Sequence, residues 1–599
     1  MRAKAGDPPR TMAQKILSGR ATDPTLAGDL VEVKVDQIIL ARSPMRAVAE
    51  ARELGLKRTS VEVAIAYDGE CVTAGKNDGA VEASELVGHN ILLGRPGVGF
   101  PAMVHLERFA SPGRLAVTDE PRLAGVGGIG MLPLVVPPSM LAHALTHGRV
   151  WLRPPRSIQV LLSGSFRPFV GARDAAIELL RKGLVDAVRR VEAEHQAPVI
   201  IEFAGPSVRR LSVSERAIFA SVAPSIGAAG ALFVSDERTE VFLRDQRRSK
   251  AHRALVPDAG APCDDVLSLD FGTVDPMLLD ETGAPRTVRD LAGKPVSQVV
   301  LGGDGGMTLR DLFAVAMLLK SKRVPPRLDF VLAVPSRQIL EVLGAGGALT
   351  DLVATGARIV EPDHRIAQGT MYPPVPGGLS VRTFEMEPRF GAAPGHVVAS
   401  AETVAAVVAA GEIADPRTFK RPVRVTVPRV LPTDDVLVVR DRKGTEAAPK
   451  KESTELAAVT PWKAPLALDV IDAAALGQGS PDKPCLVVAS TPEHLRATLS
   501  CVLEARAATV RAVVASPMPT PVATVLAAAG ILPLEAEGAK ALAGLKATKP
   551  VQVPAPSSLG DAAFSLAIGA SKLSVIARVN AGERQWIAAG GVRASKPKA

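Results

Sequence analysis

The sequence predicts an α/β protein of several domains, in which mostly parallel sheets are covered by helices. Strand-like and helix-like segments alternate through most of the chain, which is the pattern of parallel strands joined by crossover helices. The chain has 599 residues, and a single hydrophobic core does not grow to that size, so three or four domains are expected. Aromatic residues make up only 3% of the sequence, so Ala, Val and Leu must fill these cores.

The middle of the chain has the clearest helical pattern. Residues 173–196 predict one amphipathic helix, and residues 199–203 (VIIEF) predict a buried strand after it. The apolar positions that share one face of this helix are Ile177, Leu180, Leu184 and Val188.

A βαβ unit with a glycine-rich turn follows. Residues 297–301 predict a strand, residues 309–321 a helix and residues 330–334 the next strand. The turn after the first strand, residues 302–306, reads GGDGG. Open α/β sheets bind ligands at the carboxyl ends of their strands, so a ligand is expected at this turn. A dinucleotide fingerprint is not expected, because Thr308 stands where the third glycine of G-x-G-x-x-G is required.

The last part of the chain predicts another α/β domain. Residues 440–463 are charged and lack hydrophobic periodicity, which predicts a linker. Beyond it, residues 485–489 and 510–515 predict strands. Residues 490–493 (STPE) carry the cap, proline and first-turn acid that favour the start of a helix.

Composition excludes several classes of protein. The chain is 47% hydrophobic and 22% charged, which is typical of a globular protein. Its four cysteines form no CxxC pair and no disulfide framework, which favours a reducing compartment. We expect a cytoplasmic protein without a membrane span, because no uninterrupted apolar run reaches about 18 residues and the N-terminus lacks a signal-peptide core. The net charge of +9 is modest, and its clearest cluster, residues 244–253 (RDQRRSKAHR), is typical of a solvated helix end.

Seven segments of the chain form a recognisable series. In chain order they are residues 11–39 (TMAQKILSGRATDPTLAGDLVEVKVDQII), 97–121 (GVGFPAMVHLERFASPGRLAVTDEP), 146–166, 211–237, 396–417 (HVVASAETVAAVVAAGEIADPR), 490–499 (STPEHLRATL) and 509–534. By order and spacing, the first five resemble the large subunit of isopropylmalate dehydratase, in the aconitase family. The last two resemble the mobile swivel domain of that family.

The resemblance implies a fold and a division into domains. We expect aconitase-like three-layer α/β/α domains and a C-terminal swivel-like α/β domain. The expected division is aconitase-like domains 1 and 2 at residues 1–290, aconitase-like domain 3 at 291–439, the linker at 440–463 and a degenerate swivel-like domain at 464–599.

The resemblance also implies a cofactor whose ligands are missing. The family moves water across a double bond of a hydroxylated di- or tricarboxylic acid, using a [4Fe–4S] cluster held by three thiolates. At the first thiolate position this sequence has Asp304, and at the other two it has His364 and Ala367. No cysteine lies between Cys263 and Cys485, so a cluster bound in the family manner is not expected, and no other cofactor is implied.

The acid–base residues of the family are replaced as well. Its His-Asp pair corresponds to Ala41–Arg42, its His-Gln pair to Ala102–Met103, and its Asp-Ser-His triplet to Asp119–Glu120–Pro121. An active-site Asn and Glu become Ser221 and Ser225. Losing these groups together with the metal favours a protein without hydro-lyase activity.

Part of the family's carboxylate-binding motif survives. Its Ser-Asn-Arg-Asn-Phe-Glu-Gly-Arg stretch corresponds to SVRTFE, which begins at Ser380, with the last arginine at Arg389 after a two-residue insertion. The resemblance implies that Ser380, Arg382 and Arg389 bind substrate carboxylates. The alternative is that these arginines pair with local acids such as Glu385 and Glu387.

The swivel-like domain keeps part of a catalytic stretch. The family has Ser-Ser-Arg-Glu-His there, in which the serine is a base and the arginine binds substrate, and residues 490–494 read STPEH. The resemblance implies Ser490 as a catalytic and substrate-binding candidate. Ordinary helix capping is the alternative explanation for Ser490.

Three functional hypotheses follow. In the first, the protein has no hydro-lyase activity and binds a small polycarboxylate or a protein partner. In the second, it is a divergent hydro-lyase whose rebuilt metal site uses Asp304 and His364, helped by Asp363 or Asp119. In the third, it is an RNA-binding regulator, as cluster-free members of the family can be. A pI near 9.4 favours the third hypothesis, whereas the scarcity of Tyr and Trp for base stacking opposes it.

Overall fold

The computed structural model describes residues 8–69, 86–305, 307–387, 395–429, 431–433, 436–440, 460–479, 481–545, 549–569 and 571–594. The strands are β1 (Val31–Lys34), β2 (Gln37–Leu40), β3 (Val63–Tyr67), β4 (Leu92–Gly94), β5 (Leu115–Thr118), β6 (Leu132–Val135), β7 (Arg149–Leu152), β8 (Arg156–Ser163), β9 (Val199–Ala204), β10 (Gly230–Phe233), β11 (Asp265–Asp270), β12 (Met277–Leu279), β13 (Pro285–Thr287), β14 (Gln298–Gly302), β15 (Asp329–Ala333), β16 (Arg358–Val360), β17 (Ser380–Arg382), β18 (His396–Ala399), β19 (Val438–Val439), β20 (Leu466–Asp472), β21 (Cys485–Val488), β22 (Val510–Ala515), β23 (Leu532–Ala536), β24 (Val551–Val553), β25 (Phe564–Ile568) and β26 (Ser571–Ala577).

Helices connect most of these strands. They are α1 (Met12–Ser18), α2 (Pro44–Glu53), α3 (Pro101–Arg108), α4 (Pro138–His147), α5 (Ala172–Arg181), α6 (Leu184–His195), α7 (Val213–Ala220), α8 (Glu237–Asp245), α9 (Leu309–Leu318), α10 (Arg337–Ala345), α11 (Ala348–Thr355), α12 (His364–Gln368), α13 (Ala401–Ala410), α14 (Pro492–Leu503), α15 (Thr520–Ala528) and α16 (Ala581–Ala589). No helix of the described residues is long and apolar enough to cross a membrane.

Three large sheets are formed by the chain up to β19. The first has the order β19-β4-β3-β2-β5-β6 and is parallel except at β19. The second, β10-β9-β8-β11, is wholly parallel. The third, β13-β12-β18-β17-β14-β15-β16, is parallel from β18 to β16 and antiparallel at β12 and β13. Strands β1 and β7 form a separate antiparallel ribbon. Parallel sheets with crossover helices confirm the predicted α/β class.

The fourth sheet belongs to the C-terminal part of the chain. Its order is β24-β20-β21-β22-β23-β26-β25, and β20 to β23 are parallel. Residues 441–459, most of the predicted linker, lie outside the described residues. The division into domains therefore stays a prediction, although β19 pairs with β4 and every strand of the fourth sheet follows residue 465.

A glycine between α5 and α6 and the capping residues of α14 show how local sequence determines where helices begin and end. The predicted helix over 173–196 is wrong in one respect, since the structure has two helices, α5 and α6. Gly183 separates them with φ of +92°, a left-handed conformation that glycine adopts without steric cost. At α14, the Thr491 side chain accepts a hydrogen bond from the His494 N–H at 3.1 Å, and Pro492 occupies the first helical position, as the sequence predicted.

Candidate ligand-binding site

A cavity of about 140 Å³ lies where helix α14, in the C-terminal part of the chain, meets the first and third sheets. Its walls include Arg42, which follows β2, Asp304, which follows β14, and Glu387, which follows β17. Helix α14 supplies the opposite wall through Arg496 and Ser500. The cavity therefore lies at the carboxyl ends of parallel strands, where open α/β sheets bind ligands.

Arg42 is the centre of an ion-pair network beside the cavity. Its side chain is 2% exposed and makes bidentate contacts with Glu120, at 3.1 and 3.2 Å, and with Glu387. Its Nη1 also lies 3.2 Å from the Ser500 hydroxyl and 3.5 Å from a Glu504 carboxylate oxygen. One arginine thus joins the first sheet, the loop after the third sheet's β17 and the end of α14.

In this network each charged group stabilises the charged form of its partners. Burial disfavours a charged guanidinium, but the carboxylates of Glu120 and Glu387 outweigh that effect and raise the pKa of Arg42. Burial likewise opposes ionisation of Glu387, but Arg42 and Arg122 lower the pKa of that carboxyl below its ordinary value. Arg42 is therefore an internal counter-ion and has little capacity left for a ligand.

Asp119 fixes the backbone that carries Arg42. Its carboxylate accepts hydrogen bonds from the N–H of Ala41, at 2.7 Å, and of Ser43, at 3.0 Å. The Ser43 hydroxyl donates to the carbonyl of Leu503 at 2.9 Å, so the end of β2 is also bonded to the end of α14. Both oxygens of Asp119 thus accept backbone N–H groups, and Asp119 is not among the residues that line the cavity.

Asp304 lies in the glycine-rich turn and has one carboxylate oxygen without a hydrogen-bond partner among the described residues. It is 5% exposed, and its Oδ1 accepts no hydrogen bond from any described residue. Burial raises the pKa of Asp304 to about 7, with Arg122 opposing the shift. The turn needs glycine at 302, because φ is +106° there and a Cβ would overlap the carbonyl oxygen of Ala333. Near neutral pH this carboxyl group is present in both protonation states, so it both donates and accepts hydrogen bonds.

Three further arginines line the same cavity, and each has a buried N–H group without a hydrogen-bond acceptor among the described residues. Arg122 donates from Nη2 to the Glu385 carbonyl at 3.0 Å, and Arg173 donates from Nη2 to the Gly305 carbonyl at 2.8 Å. The Nε atoms of Arg122, Arg173 and Arg496 are buried and make no hydrogen bond to any residue in the described part of the chain, although Arg122 Nε lies at ion-pair distance, 3.6 Å, from a Glu387 carboxylate oxygen. Buried donors normally have a partner, so these atoms favour an acceptor inside the cavity.

Two serines complete the polar wall. The hydroxyl of Ser221 donates to the Ile218 carbonyl and that of Ser225 to the Val222 carbonyl, both at 2.8 Å. Each hydroxyl proton is therefore used within the chain, and only oxygen lone pairs remain for a ligand. Neither cysteine nor histidine is present among the described residues that line the cavity.

Comparisons with known proteins identify the relatives of this chain. The Aconitase family (aconitate hydratase) model matches residues 81–285. The 3-isopropylmalate dehydratase large subunit 2 of Archaeoglobus fulgidus is 27% identical over 424 residues, which cover 68% of this chain and 99% of that protein. The chain is an aconitase-family homologue.

A second relative agrees with this. The homoaconitase large subunit of Thermus thermophilus is 28% identical over 430 residues, which cover 69% of this chain and 98% of that protein. The crystal structure of Thermococcus kodakaraensis aconitase X in its holo form covers 65% of this chain and 90% of that chain, with 9% identity and a TM-score of 0.34. That score is too low to support an inference. The resemblance to isopropylmalate dehydratase large subunits is thereby confirmed.

The aconitase-family homologue does not present Ser380 and Arg382 to this cavity. Both are fully buried on β17. The Ser380 hydroxyl donates to Gln298 Oε1 at 2.9 Å, and Arg382 donates to the same oxygen at 3.0 Å and to the Tyr372 carbonyl at 2.6 Å. Both side chains thus make interior hydrogen bonds to Gln298, and Arg382 also bonds to the Tyr372 carbonyl, so their predicted role in carboxylate binding stays a prediction. Arg389, the third predicted carboxylate ligand, lies outside the described residues.

His364 is not among the residues that line the cavity with Asp304, although it lies near enough to Glu387 of the cavity wall to help lower the pKa of that carboxyl. His364 opens α12, its N–H donates to the Gly69 carbonyl at 2.9 Å, and it is absent from the cavity wall. Asp363 caps the same helix and pairs with Arg365 at 2.7 Å. The described residues contain no group of three His, Cys, Asp or Glu side chains with metal-binding geometry.

Ser490 lies beside the start of α14 and outside the cavity wall. Its hydroxyl is 3.3 Å from His494 Nδ1, and the helix is capped by Thr491. The sequence interpretation of Ser490 as the cap is therefore wrong by one residue. A catalytic role for Ser490 stays untested.

The described residues of this cavity do not fit a thiolate-held [4Fe–4S] cluster. Cys263 is exposed, while Cys485 and Cys501 are buried, and none of the three lines the cavity. Burial raises the pKa of Cys485 to about 11, which disfavours a thiolate there. Cys71 lies outside the described residues.

Two arginines of the basic cluster at 244–253 form hydrogen bonds or ion pairs within the chain. Arg248 donates to the carbonyls of Glu107, at 3.1 Å, and Ala110, at 2.5 Å, while Arg244 pairs with Asp245 at 3.2 Å. Arginines committed to main-chain carbonyls contribute less to a polyanion surface.

Sequence reasoning missed the residues that build the cavity. Arg42 was interpreted only as the loss of a catalytic residue, and Arg122, Arg173 and Arg496 were not singled out. One signal was present for two of them. Arg42 and Arg122 follow strands β2 and β5 closely, at the sheet edge where ligands bind.

Proposed function

We propose that this aconitase-family homologue has no hydro-lyase activity and binds a small carboxylic acid anion in the cavity beneath α14. One observation carries the proposal. Four buried polar atoms without a hydrogen-bond partner among the described residues line one cavity, namely Nε of Arg122, Arg173 and Arg496 and Oδ1 of Asp304.

A carboxylate is the ligand that matches these atoms best. Guanidinium N–H groups form strong charge-assisted hydrogen bonds to carboxylate oxygens. Asp304 adds a donor in its protonated form, since burial raises its pKa to about 7. The A. fulgidus and T. thermophilus relatives are named for isopropylmalate and homoaconitate chemistry, so carboxylic acids are also the ligands expected from relationship.

The absence of hydro-lyase activity is inferred from two residues of the cavity wall, Asp304 and Arg42. At the position where the family has a cluster thiolate the cavity has Asp304, and at the position of the family's His-Asp pair it has Arg42, which is held by Glu120 and Glu387. A volume of about 140 Å³ is small beside the roughly 300–1,000 Å³ of typical ligand pockets, which favours a compact ligand over an RNA or a protein partner.

Isothermal titration calorimetry with succinate tests the proposal. Wild-type protein should bind succinate, and Arg496→Gln should weaken binding about tenfold or more, because a charge-assisted hydrogen bond contributes roughly 1.5–3 kcal/mol. Arg189→Gln is the matched control, since Arg189 is exposed on α6 and away from the cavity wall. Absence of succinate binding to the wild type, or equal binding by Arg496→Gln, would rule the proposal out.

A further inference from the structure

A separate cavity of about 450 Å³ lies at the amino ends of three parallel strands of the fourth sheet. Of its wall residues, Leu466 begins β20, Pro484 directly precedes β21 and Thr509 directly precedes β22. Its volume is within the roughly 300–1,000 Å³ of typical small-ligand pockets. None of its described wall residues lines the cavity beneath α14, so a ligand bound here would be a separate one.

Three residues of this wall have a buried polar atom without a hydrogen-bond partner among the described residues. The atoms are Nε1 of Trp462, which is 2% exposed, Oγ1 of Thr509 and Nε of Arg511. The indole and guanidinium N–H groups only donate hydrogen bonds, and the threonine hydroxyl donates as well as accepts. Buried donors normally have a partner, and a buried tryptophan N–H usually finds one, so these atoms favour a ligand with several acceptor oxygens.

The wall carries positive charge that no acid of the wall balances. Arg511 and Lys463 line the cavity, whereas no Asp or Glu does so among the described residues. Arg511 donates from Nη2 to the Thr460 carbonyl at 2.8 Å, and its guanidinium carbon lies 5.7 Å from the centre of the Trp462 ring. Burial lowers the pKa of Arg511, in contrast to Arg42, whose carboxylate partners raise it. An anion in the cavity would supply the counter-charge that Arg511 lacks.

We infer that this cavity binds a phosphate group through the free donors of Trp462, Thr509 and Arg511, with the exposed Lys463 at its rim. Phosphate carries several acceptor oxygens and forms strong charge-assisted hydrogen bonds with arginine. The two positive side chains of the wall match the roughly −1.5 to −2 charge of a phosphate monoester near neutral pH. The inference does not depend on the proposed function, because the two cavities share no described wall residue.

Isothermal titration calorimetry with inorganic phosphate tests the inference, at an ionic strength held constant with sodium chloride so that charge screening does not vary. The wild-type protein should bind phosphate. Arg511→Gln should weaken binding about tenfold or more, because it removes a charge-assisted hydrogen bond. Trp462→Phe should weaken it about fivefold, because it removes the indole N–H and keeps an aromatic ring. Lys572→Gln is the matched control, since it removes one positive charge from an exposed position on β26 of the same sheet, away from the cavity wall.

Thermal unfolding gives a second measurement of the same binding. Phosphate should raise the Tm of the wild type and of Lys572→Gln, because a ligand that binds only the folded state stabilises it. The Tm of Arg511→Gln should rise by less at the same phosphate concentration. Circular dichroism before each titration reports whether the variants are folded.

Phenyl phosphate distinguishes the two sources of a phosphate group. The prolines Pro461, Pro465 and Pro484 give the wall apolar surface, which an organic substituent on the phosphate would bury. Tighter binding of phenyl phosphate than of inorganic phosphate would identify a phosphate ester as the ligand. Equal affinities would identify free phosphate.

Two results would overturn the phosphate site. One is a wild-type protein that binds neither phosphate compound, or that binds phosphate no more tightly than Arg511→Gln does. The other is phosphate binding that Arg496→Gln abolishes and Arg511→Gln retains, because the anion would then lie in the cavity beneath α14. Neither result bears on succinate binding, so the proposed function is tested separately.

Discussion

Arg42 differs from Arg122, Arg173 and Arg496 in the hydrogen-bond partners of its side chain. Arg42 is enclosed by carboxylates of the chain itself, with Glu120 and Glu387 in bidentate contact. Arg122, Arg173 and Arg496 instead keep a buried Nε without a hydrogen-bond partner in the described chain. All four line one cavity, so position alone does not separate an internal counter-ion from a ligand-binding arginine. Arg122 stands between the two kinds, because its Nε also lies 3.6 Å from Glu387. The hydrogen-bond partners of each guanidinium group do distinguish the internal counter-ion from the ligand-binding arginines.

The largest expected effect follows from breaking the internal counter-ion. Arg42→Ala leaves the Glu120 and Glu387 carboxylates buried and unpaired, which should lower the free energy of unfolding by about 3–5 kcal/mol. Urea unfolding followed by circular dichroism measures this.

One control variant and one rescue variant show whether the loss of stability in Arg42→Ala comes from its buried carboxylate partners. Arg244→Ala removes an exposed arginine paired with Asp245 and should cost less than about 1 kcal/mol. Neutralising the partners as well, in Arg42→Met with Glu120→Gln and Glu387→Gln, should recover part of the loss. A cost for Arg42→Ala as small as that of Arg244→Ala would contradict the assignment of Arg42 as an internal counter-ion.

A second, pH-dependent effect is expected at Asp304. Its pKa is raised by burial to about 7, above the ordinary 3.8, so the folded state binds this proton more tightly than the unfolded state does. The ionised carboxyl therefore costs stability progressively as pH rises from about 4 to 7, and the cost is constant above that range. Asp304→Asn stays neutral and should gain roughly 4 kcal/mol over the wild type between pH 4 and pH 8.

The control for this gain is an exposed acid. Asp186→Asn on α6 should show no gain over the wild type between pH 4 and pH 8. Unfolding curves at the two pH values provide the comparison. A constant difference between Asp304→Asn and the wild type would show that Asp304 does not titrate in this range.

The sequence predicted the fold better than the site, for a physical reason. Strand β14, its glycine-rich turn and α9 depend on local patterns of hydrophobicity and capping, and they form where expected. The Arg42 network joins Glu120, Glu387 and Ser500, which are separated from it by 78, 345 and 458 residues along the chain. Such long-range pairing leaves no periodic signal in the sequence. Arg382 shows the opposite case, since its motif indicates a ligand contact, whereas the fold buries its side chain in hydrogen bonds to Gln298 and the Tyr372 carbonyl.

The central claim is that this aconitase-family homologue uses the cavity for binding and not for cluster chemistry. The direct measurement is iron and acid-labile sulfide in protein purified anaerobically, together with dehydratase turnover of 3-isopropylmalate by the same sample. We expect substoichiometric iron and sulfide and no turnover. A full [4Fe–4S] complement per chain with sustained turnover would contradict the claim.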